Sequence, residues 1–188
     1  MRPVLLLGLM LLTSALQACF PIIAAGVGTG VMMKQDRRSN QAYVEDQRIE
    51  TSAAAHIDNE FKGVMHVNVT SFNHRVLISG EISDEAAKAD IAKIVSAVEN
   101  VRVVNNELVI SDSSSLASRG NDSLITSNIK LQFIDSAGFS AEHIKVVTEN
   151  GTVFLLGIVS HAEADAASGI ASTTHGVRRV IRLFEYLD

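Results

Sequence analysis

Tryptophan is absent, cysteine occurs once, and aromatic residues make up only 5% of the 188-residue chain. A single cysteine forms no intramolecular disulfide and assembles no thiolate metal cluster. Positive charge is also scarce, with 16 lysines and arginines against 21 aspartates and glutamates, a net charge of −5. That balance offers no basic face of the kind that binds nucleic acid. No apolar run reaches the roughly 20 residues that a bilayer-spanning helix needs. Signatures of catalysis are missing as well. There is no G-x-S-x-G nucleophile elbow, and His56, His66, His74, His143, His161 and His175 form no H-x-x-x-H or H-x-H pair. Asp84 and Glu85 adjoin, but at the opening of a helix carboxylates serve its positive end. The expectation is a non-enzymatic chain with no cofactor, no metal, no small-molecule substrate and no nucleic-acid partner.

What is present begins at the N-terminus. Arg2 precedes an apolar run over residues 4–12, a polar break at Thr13 and Ser14, and then Leu16, Gln17, Ala18 and Cys19. This is the order of parts in a secretory signal, too short to span. A cysteine directly after its small-residue end resembles the bacterial lipobox, in which the thiol receives lipid. The alternative for Cys19 is an ordinary unpaired thiol; its place at the cleavage point favours lipidation. Residues 1–18 are therefore expected to be a signal peptide and 19–45 a lipidated flexible tether. Phe20 follows the cysteine where an aspartate would favour inner-membrane retention, so the expected address is the outer membrane, facing the periplasm. Gly26, Gly28 and Gly30 lack the G-x-G-x-x-G spacing and flanking elements of a phosphate loop.

From there the chain repeats itself. Val76, Leu77, Ile78 and Gly80 match Val153, Phe154, Leu155 and Gly157 at an offset of 77, and Ser83 matches Ser160 at the same offset. Val101 and Val104 match Val177 and Val180 at 76. Each copy reads as an opening helix (46–59; 121–135), two strands joined by a tight turn (65–71 and 75–82; 144–149 and 152–159), a second helix and a last strand (101–110; 177–187). Asn150 followed by Gly151 between apolar runs is a hairpin signal, because both positions take positive φ. Ser160 with Glu163 is a capping box; in the first copy Ser83 is the candidate cap. The fold class is α+β: two tandem αββαβ modules over 46–112 and 120–188, joined by a small-polar linker at 113–119. Each module is a mixed three-stranded sheet packed on two helices.

The glycine after the apolar strand, the run from Val147 to Gly157, and Gly176-Val177 before the last strand resemble the BON domain of bacterial envelope proteins. The resemblance spans nearly the whole chain after the signal. It makes Gly80, Gly157 and Gly151 structural glycines. It implies a non-catalytic role in outer-membrane integrity, with the second module binding anionic phospholipid through its first helix.

The two opening helices allow a check on that implication. At an offset of 76, Ile49, Ala53 and Ile57 correspond to Ile125, Ile129 and Phe133, one face of each helix and the expected core. Off that face, Arg48, Ala55 and Asp58 correspond to Leu124, Leu131 and Ile134. The second copy thus carries surplus apolar surface, with Lys130 and Arg119 placed to attract anionic lipid. Such a patch suits a membrane interface or a docking face. Two readings therefore stand. One is an anionic phospholipid membrane; the other is a protein contact, either an envelope partner or the sister module and linker. Residues 46–112 carry 6 basic and 11 acidic side chains, and 116–188 carry 6 and 8, so the second module is the better suited to an anionic surface. Arg178, Arg179 and Arg182 are a possible second contact.

Overall fold

A computed structural model describes residues 36–61 and 66–188. Cys19, the signal segment and the glycine-studded stretch lie outside the described residues. Residues 35–188 belong to one compact unit. Its elements in chain order are α1 (Asn40–Phe61), β1 (His66–Phe72), β2 (Arg75–Ile82), α2 (Glu85–Ser96), β3 (Val103–Asn106) and β4 (Val109–Ile110). The second module follows with α3 (Leu116–Ile134), a 3-10 turn (Ala141–His143), β5 (Ile144–Glu149), β6 (Thr152–Val159), α4 (His161–Thr173) and β7 (Arg179–Tyr186). In each module the first two strands pair antiparallel and the last pairs parallel to the second, giving the mixed sheets β1-β2-β3/β4 and β5-β6-β7. No helix of the described residues is long and apolar enough to cross a membrane.

Alternation along the strands divides the side chains between two faces. Val76, Ile78 and Ile82 of β2 meet Ile49, Ala53 and Ile57 of α1 and Ile91 and Val95 of α2. Val153, Leu155 and Val159 of β6 likewise meet Ile125, Ile129 and Phe133 of α3 and Ala164, Ala167 and Ala171 of α4. The intervening residues build a third cluster. Phe72 and Leu77 from the first sheet pack on Phe154 and Leu156 from the second, flanked by Val147, Ile158, Ile181 and Leu183. The helix-free faces of the two sheets are therefore packed against each other, and the helices lie outside. This explains why the central strands are apolar at consecutive positions rather than at every second one, as expected for strands buried on both sides.

Several boundaries differ from the sequence expectation. Helix α1 begins at Asn40, inside the stretch expected to be tether, because Ser39 Oγ accepts from the Ala42 N–H at 3.0 Å. Helix α3 begins at Leu116, inside the expected linker, with Ser115 Oγ accepting from the Ser118 N–H. The cap of α2 is Asp84, which accepts from the Ala87 N–H at 2.9 Å, and not Ser83, whose hydroxyl donates to Asp84 instead. A carboxylate is the stronger acceptor at a helix's positive end. The last strand of the first module is broken at Glu107 and Leu108, where Leu108 turns into the core. The capping box at Ser160 and Glu163 is formed.

Both hairpin turns use two left-handed residues, Asn73 and His74 in the first module and Asn150 and Gly151 in the second. Each is held by an aspartate from the opening helix. Asp46 accepts from the N–H groups of Asn73 and His74, both at 2.8 Å. Asp122, 76 residues later, accepts from those of Asn150 and Gly151 at 2.9 and 2.8 Å. Gly80 and Gly157 share another role: a Cβ at either would collide with a backbone carbonyl, that of His66 or of His143. Glycine lets the edge of each module approach its central strand.

Candidate functional site

Helix α3 is positioned by two sets of contacts. Ile125, Ile129 and Phe133 are buried on the second core, with Phe133 edge-on to Phe139 at 4.9 Å. Asp122 ties the N-terminal half to the β5–β6 turn, and Thr126 Oγ1 donates to Thr148 Oγ1 on β5 at 2.7 Å. With that face fixed, the opposite face points to solvent.

On the solvent side Leu124, Leu131 and Ile134 are 65%, 60% and 69% exposed. The sister module does not cover them, since the modules meet through their sheets. Leu116, 84% exposed, joins them. It stands 18 residues, or five helical turns, before Ile134 and so on the same line of the helix. Sequence reasoning missed it by assigning residue 116 to the linker; the signal was that spacing. On α1, Arg48, Ala55 and Asp58 hold the corresponding exposed positions, while Tyr43 and Val44 are the exposed large apolar residues of that helix.

The polar residues of this face demand little from water. Ser123 Oγ and Ser127 Oγ donate back to the carbonyls of Arg119 and Ser123, at 3.0 and 2.8 Å, the local bonding that serine makes within a helix. Lys130 is exposed beside Leu131. Arg119 is not free in the same way: its guanidinium donates to Ser114 Oγ and to the Ser114 carbonyl. Among the other arginines, Arg178 reaches Asn150 and Arg182 reaches Asp165, while Arg179 is exposed.

Two carboxylates that bind the segment before α1 are held below their ordinary range. Burial by itself would raise the Asp46 carboxyl, yet bonds from Ser71 Oγ, the His74 N–H, Arg38 and the Asn73 N–H hold it below its ordinary range. Glu163 is lowered to about 2, first by hydrogen bonding to Arg37, against burial and with help from the Ser160 N–H. Arg37 binds Glu163 through both guanidinium nitrogens, at 2.7 and 2.8 Å, and donates to the Ile158 carbonyl at 2.8 Å. The segment before α1 is thereby clasped to the second module.

A family model for the BON domain matches residues 45–112 and 121–188. The chain belongs to the BON-domain family. It is a dual-BON chain, 34% identical over 94% of its length to the outer membrane lipoprotein DolP of Haemophilus influenzae, of which 92% is covered. A 21 kDa hemolysin of Actinobacillus pleuropneumoniae is 32% identical, over 81% of this chain and 80% of its own. Osmotically-inducible protein Y of Escherichia coli is 29% identical, over 73% and 71%. None of these names denotes an enzyme. The BON assignment accounts for both repeats and for the αββαβ order found in each.

Proposed function

We propose that this chain is an outer-membrane lipoprotein, anchored through Cys19. Its second BON module lays the exposed face of α3 on anionic phospholipid and so helps maintain the envelope. The likeness to an outer membrane lipoprotein over nearly the full length of both chains supports the address. One observation carries the lipid reading: three large apolar side chains are at least 60% exposed on a helix whose sister bears an arginine, an alanine and an aspartate there. An apolar stripe with a lysine at its margin, lying along one helix, suits insertion at the headgroup boundary. Its counterpart on α1 does not.

The test is co-sedimentation of residues 35–188, which contain both cores and the sheet contact, with vesicles. Binding is expected to phosphatidylglycerol-containing vesicles over purely phosphatidylcholine ones, and to be lost in Leu124→Glu/Leu131→Glu. Equal binding to both vesicle types, or undiminished binding by the double variant, refutes the lipid reading. In whole cells, photocrosslinking from position 131 separates lipid from a protein partner: lipid adducts are expected, and a single protein adduct would point to a docking role.

A further inference from the structure

Where the two sheets meet near the linker, three side chains with metal-binding atoms converge. His66 and Glu81 are cross-strand partners on β1 and β2, and Glu149 ends β5 of the other module. His66 Nδ1 lies 2.9 Å from Glu81 Oε2 and 3.7 Å from Glu149 Oε1. One ligand atom from each residue falls within 4.8 Å of the others. Four-coordinate zinc with bonds near 2.1 Å separates its ligand atoms by about 3.4 Å, so these spacings suit a shared ion. The side chains are 17%, 5% and 11% exposed.

Surrounding groups hold the set in place. Asn68 Nδ2 donates to Glu149 Oε2 at 3.0 Å and contacts His66 Nε2 at 3.2 Å, and the Ser114 N–H of the linker donates to Glu81 Oε2. The donors to Glu149 and Glu81 are outer partners of the kind that orient metal ligands. One residue back from Gly80 on β2, Ser79 projects from the same face as Glu81, opposite Asn68. Its hydroxyl is buried, with the residue 1% exposed, and has no hydrogen-bond partner. A cavity of about 420 Å³ opens beside His66, Asn68 and Glu149.

Charge at this point is unbalanced. The buried carboxylate of Glu81 and the partly buried one of Glu149 face one imidazole, and among the described residues no lysine or arginine forms an ion pair with either. The nearby Arg119 is turned to Ser114, and Asp122 is committed to the β5–β6 turn. Buried charges are paired or coordinate metals. We propose that His66, Glu81 and Glu149 form a site for a divalent transition-metal cation of the zinc type, which staples the two modules together. The donor set selects the ion, because imidazole with carboxylates suits zinc, whereas magnesium and calcium favour all-oxygen surroundings. Three protein ligands leave a fourth position to the cavity. Zinc takes the Nδ1 lone pair, and a proton carried there passes through the solvent of the cavity to Nε2, which gives up its contact with Asn68.

Calorimetric titration of residues 35–188 with zinc chloride tests this, in a chain segment without cysteine. One equivalent is expected to bind and to raise the thermal midpoint. Glu149→Gln, neutral and of the same shape, and His66→Asn are each expected to weaken binding by roughly tenfold or more, the loss seen even for outer partners. His161→Asn, at the exposed His161–Asp188 pair, is expected to leave affinity unchanged. Circular dichroism checks that each variant is folded. Should His66→Asn not fold, the imidazole resonances of His66 in the unsubstituted protein provide the second readout, and they are expected to shift with zinc. Absence of stoichiometric binding, unchanged affinity in Glu149→Gln, or no shift at His66 overturns the proposal.

Discussion

Asp46 and Asp122 occupy the same place in the two modules, yet they are not equally burdened. Asp122 satisfies two backbone N–H groups of its turn. Asp46 satisfies two as well, and also accepts from Ser71 Oγ at 2.6 Å and from Arg38 at 2.9 Å. Removing a buried charged acceptor strands every donor it served, at about 1–3 kcal/mol each. Asp122→Ala is therefore expected to cost roughly 2–4 kcal/mol and Asp46→Ala more, in urea unfolding of residues 35–188. Equal costs would show that the extra bonds of Asp46 contribute nothing. A second expectation concerns Glu163, whose neighbours are Arg37, the Ser160 N–H and, at 3.7 Å, His143. Its carboxyl titrates near 2 in the folded state, below the ordinary 4.5. A lowered folded-state value gives stability that is fully present above the ordinary value and is lost as pH falls towards the folded one. Stability should thus decline between about pH 4.5 and 2 more steeply in the unsubstituted protein than in Glu163→Gln. Parallel acid-unfolding curves would refute the assignment.

At the scale of elements, α3 and α1 are two versions of one helix, and the comparison between copies made the difference legible. Ile125, Ile129 and Phe133 were separable from Leu124, Leu131 and Ile134 by helical angle alone, because the buried and exposed sets lie on different faces. Strand order and the hairpins were legible through Asn150 and Gly151 and the repeated glycine. The contact between the sheets is implicit only in the consecutive apolar residues Val76, Leu77 and Ile78. The aspartate pair is hidden in the sequence, since a polar residue on a helix reads as solvated until its turn folds over it. His66, Glu81 and Glu149 could not be grouped from sequence, because their meeting needs both the strand register and the packing of one module on the other. The energetics of α3 follow from its exposed set. Fully burying a leucine or isoleucine is worth about 1.5–3 kcal/mol, so partial insertion of three such residues yields roughly 4 kcal/mol, a millimolar affinity. Residues 35–188 should therefore bind anionic vesicles weakly, and Leu116→Glu should weaken binding further even though no core residue changes. A Leu116→Glu variant with undiminished vesicle binding would remove that residue from the contact.

For the whole molecule, the seam and the entry of the chain decide how such a weak surface is used. Phe72, Leu77, Phe154 and Leu156 are almost wholly buried between the modules, so the modules are expected to unfold together. Leu156→Asp, which places a charge in that contact without touching either helix-facing core, is expected to split one calorimetric transition into two. A single transition in the variant would mean that the modules are coupled elsewhere. The clasp of Arg37 on Ile158 and Glu163 ties the segment before α1 to the second module. His143 is 3.7 Å from Glu163, and through Phe139 and the 3-10 turn the C-terminal end of α3 is joined to that clasp. On the proposed reading, an anchor at Cys19 would present α3 to the bilayer at an effective concentration of about millimolar for a short linker. That matches the affinity estimated for its patch, so the helix should be engaged for a substantial part of the time. In the acylated chain reconstituted into anionic vesicles, α3 amides are expected to be protected from hydrogen exchange relative to the lipid-free form. Leu124→Glu/Leu131→Glu should abolish that added protection while the protein stays with the membrane, because Cys19 still holds it. Protection that persists in the double variant would mean that the anchor alone brings the module to the surface and α3 takes no part.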